Sequence, residues 1–504
     1  MKLSKKILSL CLALLMLFSV TGTAFAGEEI KRECPVIHIP GFYSSNVYGD
    51  VNDPDTLLDL PSADVIIDFV KEVFAPALVT FCIDRNTDKL ATTVCEKINE
   101  ELFPHWFNES TGDAKEGAGV IFDATPDGIT NQSKLTFRYD WRGDLTDIAD
   151  DLDAYINYVI TESNCDKVAL SAHSFGSNLI TAYFAEYGND KVSAVIFDSP
   201  ACDGVAVVGN LLTGKVTLDS EFLGYFLKGA LGEAEYARLV SSVFDIFELA
   251  DIPGLATAFI DEVIETLAPA VYKETFAPLF GYWPAMWSMV PDRQIDEAMN
   301  YIFDGVLKDE DLSVLKARVE KYNSTVRKNK EALLKDFDAT GKFAVLSRYG
   351  SPAFPLTDAS DLMGDTVIET KASSLGATTA PVGTYFSDEE IAGVDAKYIS
   401  PDRTVNASTC LFPEQTWFIK GSGHFETHYT DDYYDFFLFA DKELTCDDTD
   451  FGRFCTFDSE TFELIKDSSE PQQAEKTTAL GRLFNFLSAL FEQFMALIKR
   501  FFGA

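Results

Sequence analysis

The chain has 504 residues, of which 47% are hydrophobic and 24% are charged. That hydrophobic content suffices for a large buried core and excludes a wholly disordered chain. Acidic residues outnumber basic ones by 80 to 41, and the net charge of −39 argues against nucleic-acid binding and against simple adsorption to anionic lipid.

The first 26 residues have the pattern of a secretory signal peptide. Lys2, Lys5 and Lys6 precede a mostly apolar run over residues 7–20, and the small-residue sequence "AFA" ends at residue 26. The apolar run is shorter than the roughly 20 residues needed to span a bilayer. We therefore predict cleavage after residue 26 and a secreted protein, either extracellular or associated with the cell surface.

Apolar segments and helical patterns alternate over the next part of the chain, residues 27–202. Strands are predicted within "CPVIHIPGF" (34–42), "KLTFRYDW" (134–141), "DKVALSA" (166–172) and "KVSAVIFDS" (191–199), with helices over 144–160 and 175–188. Because these strands are apolar throughout, the pattern predicts a mostly parallel sheet with helices on both faces.

The alternation stops near residue 203 and resumes near residue 341. The intervening sequence is rich in helical patterns without a convincing strand, which predicts a mainly helical insertion over 203–340. Strands return within "KFAVLSRYG" (342–350) and "QTWFIKGSG" (415–423), followed by a helical pattern over 431–444. Residues 341–465 therefore form the second part of an interrupted α/β core.

The end of the chain has a different composition. Residues 466–478 are a polar linker, and residues 479–504 hold an amphipathic helix with apolar side chains at i, i+3 and i+4 spacing. Two interpretations are about equally favoured. The helix docks on the protein's own surface, or residues 479–502 attach the protein to a lipid interface or a partner.

The cysteines suggest disulfides rather than a metal site. Eight remain after the signal peptide, and Cys446/Cys455 and Cys82/Cys95 are the closest pairs that a secreted chain would join. Neither a C-x-x-C pair nor a His/Cys cluster is present, so we expect no metal and no cofactor.

A candidate nucleophile lies between a predicted strand and a predicted helix. The sequence "AHSFG" (172–176) nearly matches G-x-S-x-G, in which the serine sits on a sharp turn that exposes its hydroxyl above the sheet. The positions two before and two after the serine must be small, which Ala172 and Gly176 satisfy. The sequence predicts Ser174 as the nucleophile; the alternative is a serine that only caps the helix.

A serine nucleophile needs a base and an acid. Of five histidines, His424 lies in a glycine-flanked loop directly after the last strong strand, from which it would reach the end of the sheet that carries Ser174. His173, next to the serine, is expected to point away into packing. In this fold the acid lies between the serine and the histidine in the chain. The candidate acids are therefore Asp358, Asp361, Asp388, Asp395 and Asp402. Asp402, in a Pro-Asp turn, is the preferred one.

An oxyanion hole needs two backbone donors. The N–H of Phe175, directly after the nucleophile, is one candidate. The loop "HIPGF" after the first strand offers the N–H of Phe42 as the other, because Gly41 lets the backbone approach closely.

Seven short motifs together resemble the lecithin:cholesterol acyltransferase and lysosomal phospholipase family. They occur in the family's order, and they are "PVIHIPGF", "YDWR", "AHSFG", "YWPAMWSMVP", "RYGSPAFP", "DRTVN" and "GSGHFET". The resemblance implies the α/β-hydrolase fold, with Ser174 as nucleophile, Asp402 as acid and His424 as base. Ala172 and Arg403 depart from the family pattern, because each stands in place of a glycine.

The predicted function is that of a secreted serine hydrolase or O-acyltransferase acting on acyl esters of lipids. Aromatic residues of the insertion, with Trp283 and Trp287 as tentative substrate-binding residues, suit a lipid-facing cap, although they also suit an ordinary helical core. The alternatives are a non-catalytic surface or adhesion protein on the same scaffold, and a peptidase or small-ester esterase with the same triad.

Overall fold

The structure is a computed structural model that describes residues 31–59, 65, 69, 72–73, 75–121, 126, 128–215, 269–353, 362–425, 432–458 and 463–471. The predicted signal peptide, the predicted amphipathic helix at the end of the chain and residues 472–478 of the linker lie outside these residues. Within the described ranges, no helix has the length and apolarity that crossing a membrane requires.

One eight-stranded sheet organises the fold. In chain order its strands are β1 (Val36–Ile39), β2 (Lys134–Thr136), β3 (Val168–His173), β4 (Val192–Asp198), β5 (Lys342–Tyr349), β6 (Thr416–Lys420), β7 (Phe454–Phe457) and β8 (Leu464–Lys466). Across the sheet the order is β8-β7-β6-β5-β4-β3-β1-β2. Every neighbouring pair is parallel except β7 and β8.

Helices cover both faces of this sheet. The helices of the described residues are α1 (Ala75–Asp84), α2 (Thr87–Lys97), α3 (Leu145–Ser163), α4 (Gly176–Tyr187), α5 (Ala206–Leu212), α6 (Ala277–Gly281), α7 (Pro284–Ser288), α8 (Ile295–Tyr301), α9 (Ser313–Thr325), α10 (Lys330–Asp338), α11 (Thr370–Ser373) and α12 (Asp432–Leu438). Of these, α1 and α2 pack into a separate apolar cluster. On β3, Leu170 packs into the core below α3 and α4, whereas its neighbour Ala169 packs with α12 on the other face. Burial on both faces explains why these strands are apolar throughout.

Shorter elements connect these parts. Two-residue antiparallel ladders join Val47–Tyr48 to Gly119–Val120, Ser351–Pro352 to Met363–Gly364, and Thr378–Thr379 to Val405–Asn406. π-Helical turns occupy Ile98–Leu102, Tyr272–Phe276 and Ile302–Val306, and 3₁₀ turns occupy Pro54–Thr56, Asp292–Gln294, Arg327–Asn329, Ala396–Tyr398, Ala407–Thr409 and Cys446–Asp448.

The second strand is much shorter than predicted. It ends at Thr136, and the next residues leave the sheet to cover the loop after β1. Tyr139 Oη donates to the Pro40 carbonyl at 2.7 Å, and Trp141 Nε1 donates to the Ser45 carbonyl at 3.0 Å. The apolar pattern of 134–141 predicts a longer strand. After Thr136, these side-chain hydrogen bonds to the loop take the place of strand pairing.

The insertion emerges between two adjacent strands. β4 and β5 pair directly, with Val195 opposite Phe343. In the described stretches between them, residues 199–215 and 269–341, every regular element is helical. The boundaries of the insertion at 203 and 340 stay a prediction.

The predicted disulfides do not form. Cys95, Cys446 and Cys455 are buried free thiols. The thiols of Cys446 and Cys455 instead lie against the carbonyl oxygens of Thr416 and Phe418, at 3.2 and 3.5 Å. Proximity in the sequence does not bring these two thiols together, because each side chain contacts a different carbonyl oxygen of β6.

Candidate active site

Ser174 occupies a strained turn between β3 and α4. Its φ angle is 53°, in the left-handed region that non-glycine residues rarely adopt. The turn brings α4 close to β1, since a Cβ placed on Gly176 would lie 2.2 Å from the Ile39 carbonyl oxygen. Ala172 is fully buried in β3 without displacing the turn. The alanine at the first position of the motif is therefore accommodated, and the glycine at the last is required.

Three side chains from three different loops form one hydrogen-bonded series. Ser174 Oγ lies 2.9 Å from Nε2 of His424, and Nδ1 of His424 lies 2.7 Å from Oδ2 of Asp365. An ionised carboxylate can only accept, so Nδ1 carries the proton and Nε2 is free to accept from the serine hydroxyl. This is the arrangement that a general base requires.

The surroundings of Asp365 keep its carboxylate ionised. Burial alone would raise its pKa, but His424, the Ile368 N–H and the charge of Arg348 outweigh that effect and lower the pKa to about 2. Oδ1 accepts hydrogen bonds from the N–H groups of Val367 and Ile368 at 3.0 and 2.7 Å. The carboxylate therefore remains charged and fixed in orientation over any ordinary working pH.

The structure corrects the predicted acid, because Asp402 does not contact His424. Its Oδ1 accepts from Ser400 Oγ at 2.6 Å and from Thr404 Oγ1 at 2.8 Å, and its Oδ2 pairs with the Lys420 ammonium. Both oxygens of Asp402 are thus engaged in a turn and an ion pair. Asp365 occupies the place that the resemblance assigned to Asp402.

Asp365 is absent from the candidate acids predicted above, although the sequence around it carries local signals. It lies in "GDTV" (364–367), sixteen positions after the end of β5. Gly364 permits a tight approach, since a Cβ there would lie 2.2 Å from the Ile368 carbonyl oxygen. β5 lies beside β6 in the sheet. The turn after β5 therefore lies next to the loop after β6, and that loop carries His424.

The loop after β1 lies against the nucleophile. A Cβ on Gly41 would be 3.0 Å from Cβ of Ser174, so the backbone passes as close as only glycine allows. Among the described residues, the N–H groups of Phe42 and Phe175 donate to no other group. Phe175 follows Ser174 directly in the chain, and Phe42 follows the glycine that packs against Ser174. The use of their N–H groups in an oxyanion hole stays a prediction.

Neither predicted cap residue is exposed to a substrate. Trp283 is fully buried, donates to the Trp106 carbonyl and packs its ring 6.1 Å from that of Phe42. Trp287 is also buried, stacks on Phe303 at 4.8 Å and donates to the Gly281 carbonyl. Trp287 therefore belongs to the core of the insertion, and Trp283 supports the loop that carries Phe42.

Comparison with known proteins agrees with this architecture. Residues 127–226, which span β3, β4 and the serine turn, match the family described as the alpha/beta hydrolase fold. The chain has the α/β-hydrolase fold. This confirms the predicted fold class, and the match does not extend to the lipid acyltransferase family that the motifs resemble.

Other comparisons found only distant similarity. No curated protein matches the chain. Among solved structures, a chain of the Tle4–Tli4 complex is 13% identical over 35% of this chain and 48% of its own, with a TM-score of 0.19. A bromoperoxidase from Bacillus anthracis is 13% identical over 62% and 93% (TM-score 0.16), and a thermophilic esterase from Thermogutta terrifontis is 13% identical over 61% and 98% (TM-score 0.15).

Proposed function

We propose that the protein is a secreted serine hydrolase or O-acyltransferase that cleaves or transfers the acyl group of lipid esters through an acyl-Ser174 intermediate. The observation that carries the proposal is the series Ser174–His424–Asp365, with contacts of 2.9 and 2.7 Å. A scaffold without catalysis would have no reason to retain a strained serine, a base in the required tautomer and an ionised acid together.

The chemistry follows from the positions of these atoms. Ser174 Oγ attacks the ester carbonyl carbon while its proton passes to Nε2 of His424, and Asp365 stabilises the resulting imidazolium. The N–H groups of Phe42 and Phe175 stabilise the oxyanion. Nε2 then donates the proton to the departing alcohol, which leaves the acyl group on Ser174.

The acyl-enzyme is resolved by a second nucleophile. His424 removes a proton from water in hydrolysis, or from an alcohol in acyl transfer, and the resulting oxygen attacks the acyl carbon. The bond from the acyl carbon to Ser174 Oγ then breaks, and Nε2 of His424 returns the proton to Oγ. Hydrolysis and transfer therefore use the same three residues. They differ in which acceptor reaches the site.

Two features support an apolar substrate. Ser174 and His424 are only 7% and 3% exposed, so the reacting atoms lie in a largely water-free environment. The ring of Phe42, beside the serine, packs at 4.7 Å against Trp141 within an aromatic cluster that includes Trp283. The motifs that resemble the lipid acyltransferase family also favour a lipid substrate, although the acid is Asp365 and not the Asp402 of the matching motif.

A fluorophosphonate probe tests the catalytic claim. Wild-type protein should be labelled on Ser174, and Ser174→Ala should not, with Ser347→Ala as the matched control because Ser347 is a fully buried serine on β5. Absence of labelling of the wild type would contradict an enzymatic function and favour the non-catalytic scaffold.

A chain-length series tests the substrate class. We expect kcat/KM to rise from short-chain to long-chain esters and phospholipid vesicles, with ester products increasing when an alcohol acceptor is added if transfer competes with hydrolysis. Activity confined to short soluble esters or to peptides would contradict the lipid assignment.

Attachment to lipid through residues 479–502 belongs to the same proposal. Full-length protein should co-sediment with zwitterionic vesicles, which avoid charge repulsion, and Phe491→Glu should reduce that binding. Equal binding of both proteins would contradict attachment through residues 479–502.

Secretion predicts that the exported protein begins at residue 27, which intact mass measures.

A further inference from the structure

We infer that His173, the residue before the nucleophile, is a positioning residue that holds the main chain of the catalytic base. This inference rests on the proposed function of Ser174 and His424. It concerns a side chain that the sequence pattern places in ordinary packing, whereas the structure directs it toward the loop after β6.

The contact is direct and enclosed. Nε2 of His173 lies 2.8 Å from the carbonyl oxygen of His424, and the two rings are 4.8 Å apart at an angle of 45°. His173 is 6% exposed. A carbonyl oxygen only accepts, so Nε2 of His173 carries the proton and donates it.

His173 stays a neutral donor under working conditions. Burial, with a smaller contribution from His424, lowers the pKa of His173 to about 3. Its ring therefore adds no positive charge beside His424, which has to become an imidazolium during the reaction. A neutral imidazole with one N–H can anchor the base without opposing its protonation.

The base is held at both ends of its own residue. Its N–H donates to the Asp365 carbonyl at 2.8 Å, and its carbonyl accepts from His173 and, at 3.5 Å, from Arg348. The side chain and the main chain of His424 are thus fixed by the loops that carry its two catalytic partners. This anchor matters because Gly421, three residues earlier, has a φ of 72° in a loop with few side chains to pack.

The other side of the His173 ring faces the predicted oxyanion loop. A Cβ on Gly41 would lie 3.0 Å from Nδ1 of His173. The ring therefore occupies the space between the backbone at Gly41 and the backbone at His424. Because it is attached next to Ser174, it relates the nucleophile, the base and one oxyanion donor to each other.

Replacing the donor without removing the ring tests this role. In His173→Phe we expect kcat to fall by about 10- to 100-fold, the size of effect that follows misplacement of a base by a fraction of an ångström to an ångström. KM should change less than about threefold, since substrate binding is untouched. Fluorophosphonate labelling of Ser174 should slow by a factor similar to that of kcat.

A conservative variant should rescue the activity. The amide nitrogen of His173→Gln can reach the place of the imidazole Nε2, whereas that of the shorter His173→Asn cannot. We expect His173→Gln to recover kcat to within about fivefold of the wild type, and His173→Asn to stay as slow as His173→Phe. The comparison of kcat between His173→Gln and His173→Asn tests the positioning role even if His173→Phe does not fold.

The control separates a positioning role from a loss of stability. Thr416→Val removes a buried hydrogen bond to a carbonyl, from Thr416 Oγ1 to Phe412 at 2.7 Å, at the opposite end of β6. It should lower the melting temperature and leave kcat within twofold of the wild type. Thermal melts identify the folded variants.

The outcomes distinguish the two proposals. Wild-type protein without esterase turnover or labelling would overturn the proposed function and, with it, the role of His173. An active wild type with an equally active, folded His173→Phe, or with Gln and Asn variants of equal kcat, would overturn only the role of His173.

Discussion

The loops at Asp365 and Asp402 have similar hydrogen bonds within the turn, but the two aspartates bind different partners outside it. Each aspartate uses Oδ1 to accept from groups two or three residues further along, Val367 and Ile368 in one case and Thr404 in the other. In each, the next residue has a positive φ angle, 83° at Thr366 and 60° at Arg403. Two similar turns thus present a second oxygen, Oδ2, to the rest of the molecule.

The partner of Oδ2 decides the role of each turn. Oδ2 of Asp365 receives Nδ1–H of His424, whereas Oδ2 of Asp402 receives the ammonium of Lys420. An imidazole can pass a proton from its other nitrogen to a reacting group, and an ammonium ion pair only joins the turn to β6. A turn motif therefore identifies a well-held carboxylate, and its position relative to the strands identifies the acid.

The largest difference between the two turns should be in turnover. Asp365→Asn should lower kcat by about 10⁴-fold, because an asparagine cannot stabilise the imidazolium and can hold the wrong tautomer. Asp402→Asn should leave kcat within about threefold of the wild type. Steady-state assays with the best ester from the chain-length series measure both. A collapse of kcat in Asp402→Asn alone would reverse the assignment.

Substitution in the Asp402 turn should lower the stability of the fold rather than turnover. Asp402→Asn removes the charged partner of the Lys420 ammonium, which also donates to Ser469 Oγ at 2.7 Å. We expect this to cost about 1–3 kcal/mol of unfolding free energy. The Lys420 side chain is a quarter exposed, which keeps the cost below that of a fully enclosed pair. Denaturant unfolding of Asp402→Asn and of Lys420→Met measures this. A variant as stable as the wild type would show that the ion pair contributes nothing.

The difference in unfolding free energy between the wild type and Asp402→Asn should depend on pH. Burial opposes ionisation there, but hydrogen bonds from Lys420, Ser400 and Thr404 prevail and lower its pKa. A carboxyl whose folded-state pKa is depressed stabilises the fold above its unfolded pKa near 4. The gap between wild type and Asp402→Asn should therefore be full at pH 7 and shrink as the pH falls below about 4. A gap that widens in acid would contradict the assigned direction.

The smallest effect should come from the residues with positive φ. Thr366→Gly relieves a β-branched residue in the left-handed region, a gain offset by the greater freedom of glycine in the unfolded chain. We expect a change of less than about 1 kcal/mol in unfolding free energy and no change in kcat. Arg403→Gly, which also removes an exposed ion pair with Asp388, should behave alike. A loss of activity in Thr366→Gly would show that the threonine side chain positions Asp365.

The sequence predicted the sheet, the nucleophile and the base because each is encoded locally. The apolar runs around β3, β4 and β5 match the strands to within a residue or two at each end. Ser174 and His424 follow buried strands, and few serines or histidines compete with them at such positions. Spacing and apolar patterning were therefore enough.

The acid and the cap residues depended on tertiary structure. The chain has 80 acidic residues, and the GDTV turn at 364–367 identifies Asp365 as the acid only together with the packing of β5 beside β6. Trp283 and Trp287 are buried by packing against Phe42 and Phe303, contacts that no periodicity reveals. The loss of the strand after Thr136 has the same origin, since Tyr139 and Trp141 bond to a loop almost a hundred residues away.

A crystal structure of the protein with Ser174 phosphonylated would test the central claim most directly. It should show Nδ1 of His424 hydrogen-bonded to Oδ2 of Asp365, the phosphonyl oxygen facing the N–H groups of Phe42 and Phe175, and Asp402 still paired with Lys420. Asp402 in contact with His424, or a phosphonyl oxygen turned away from both N–H groups, would contradict the account.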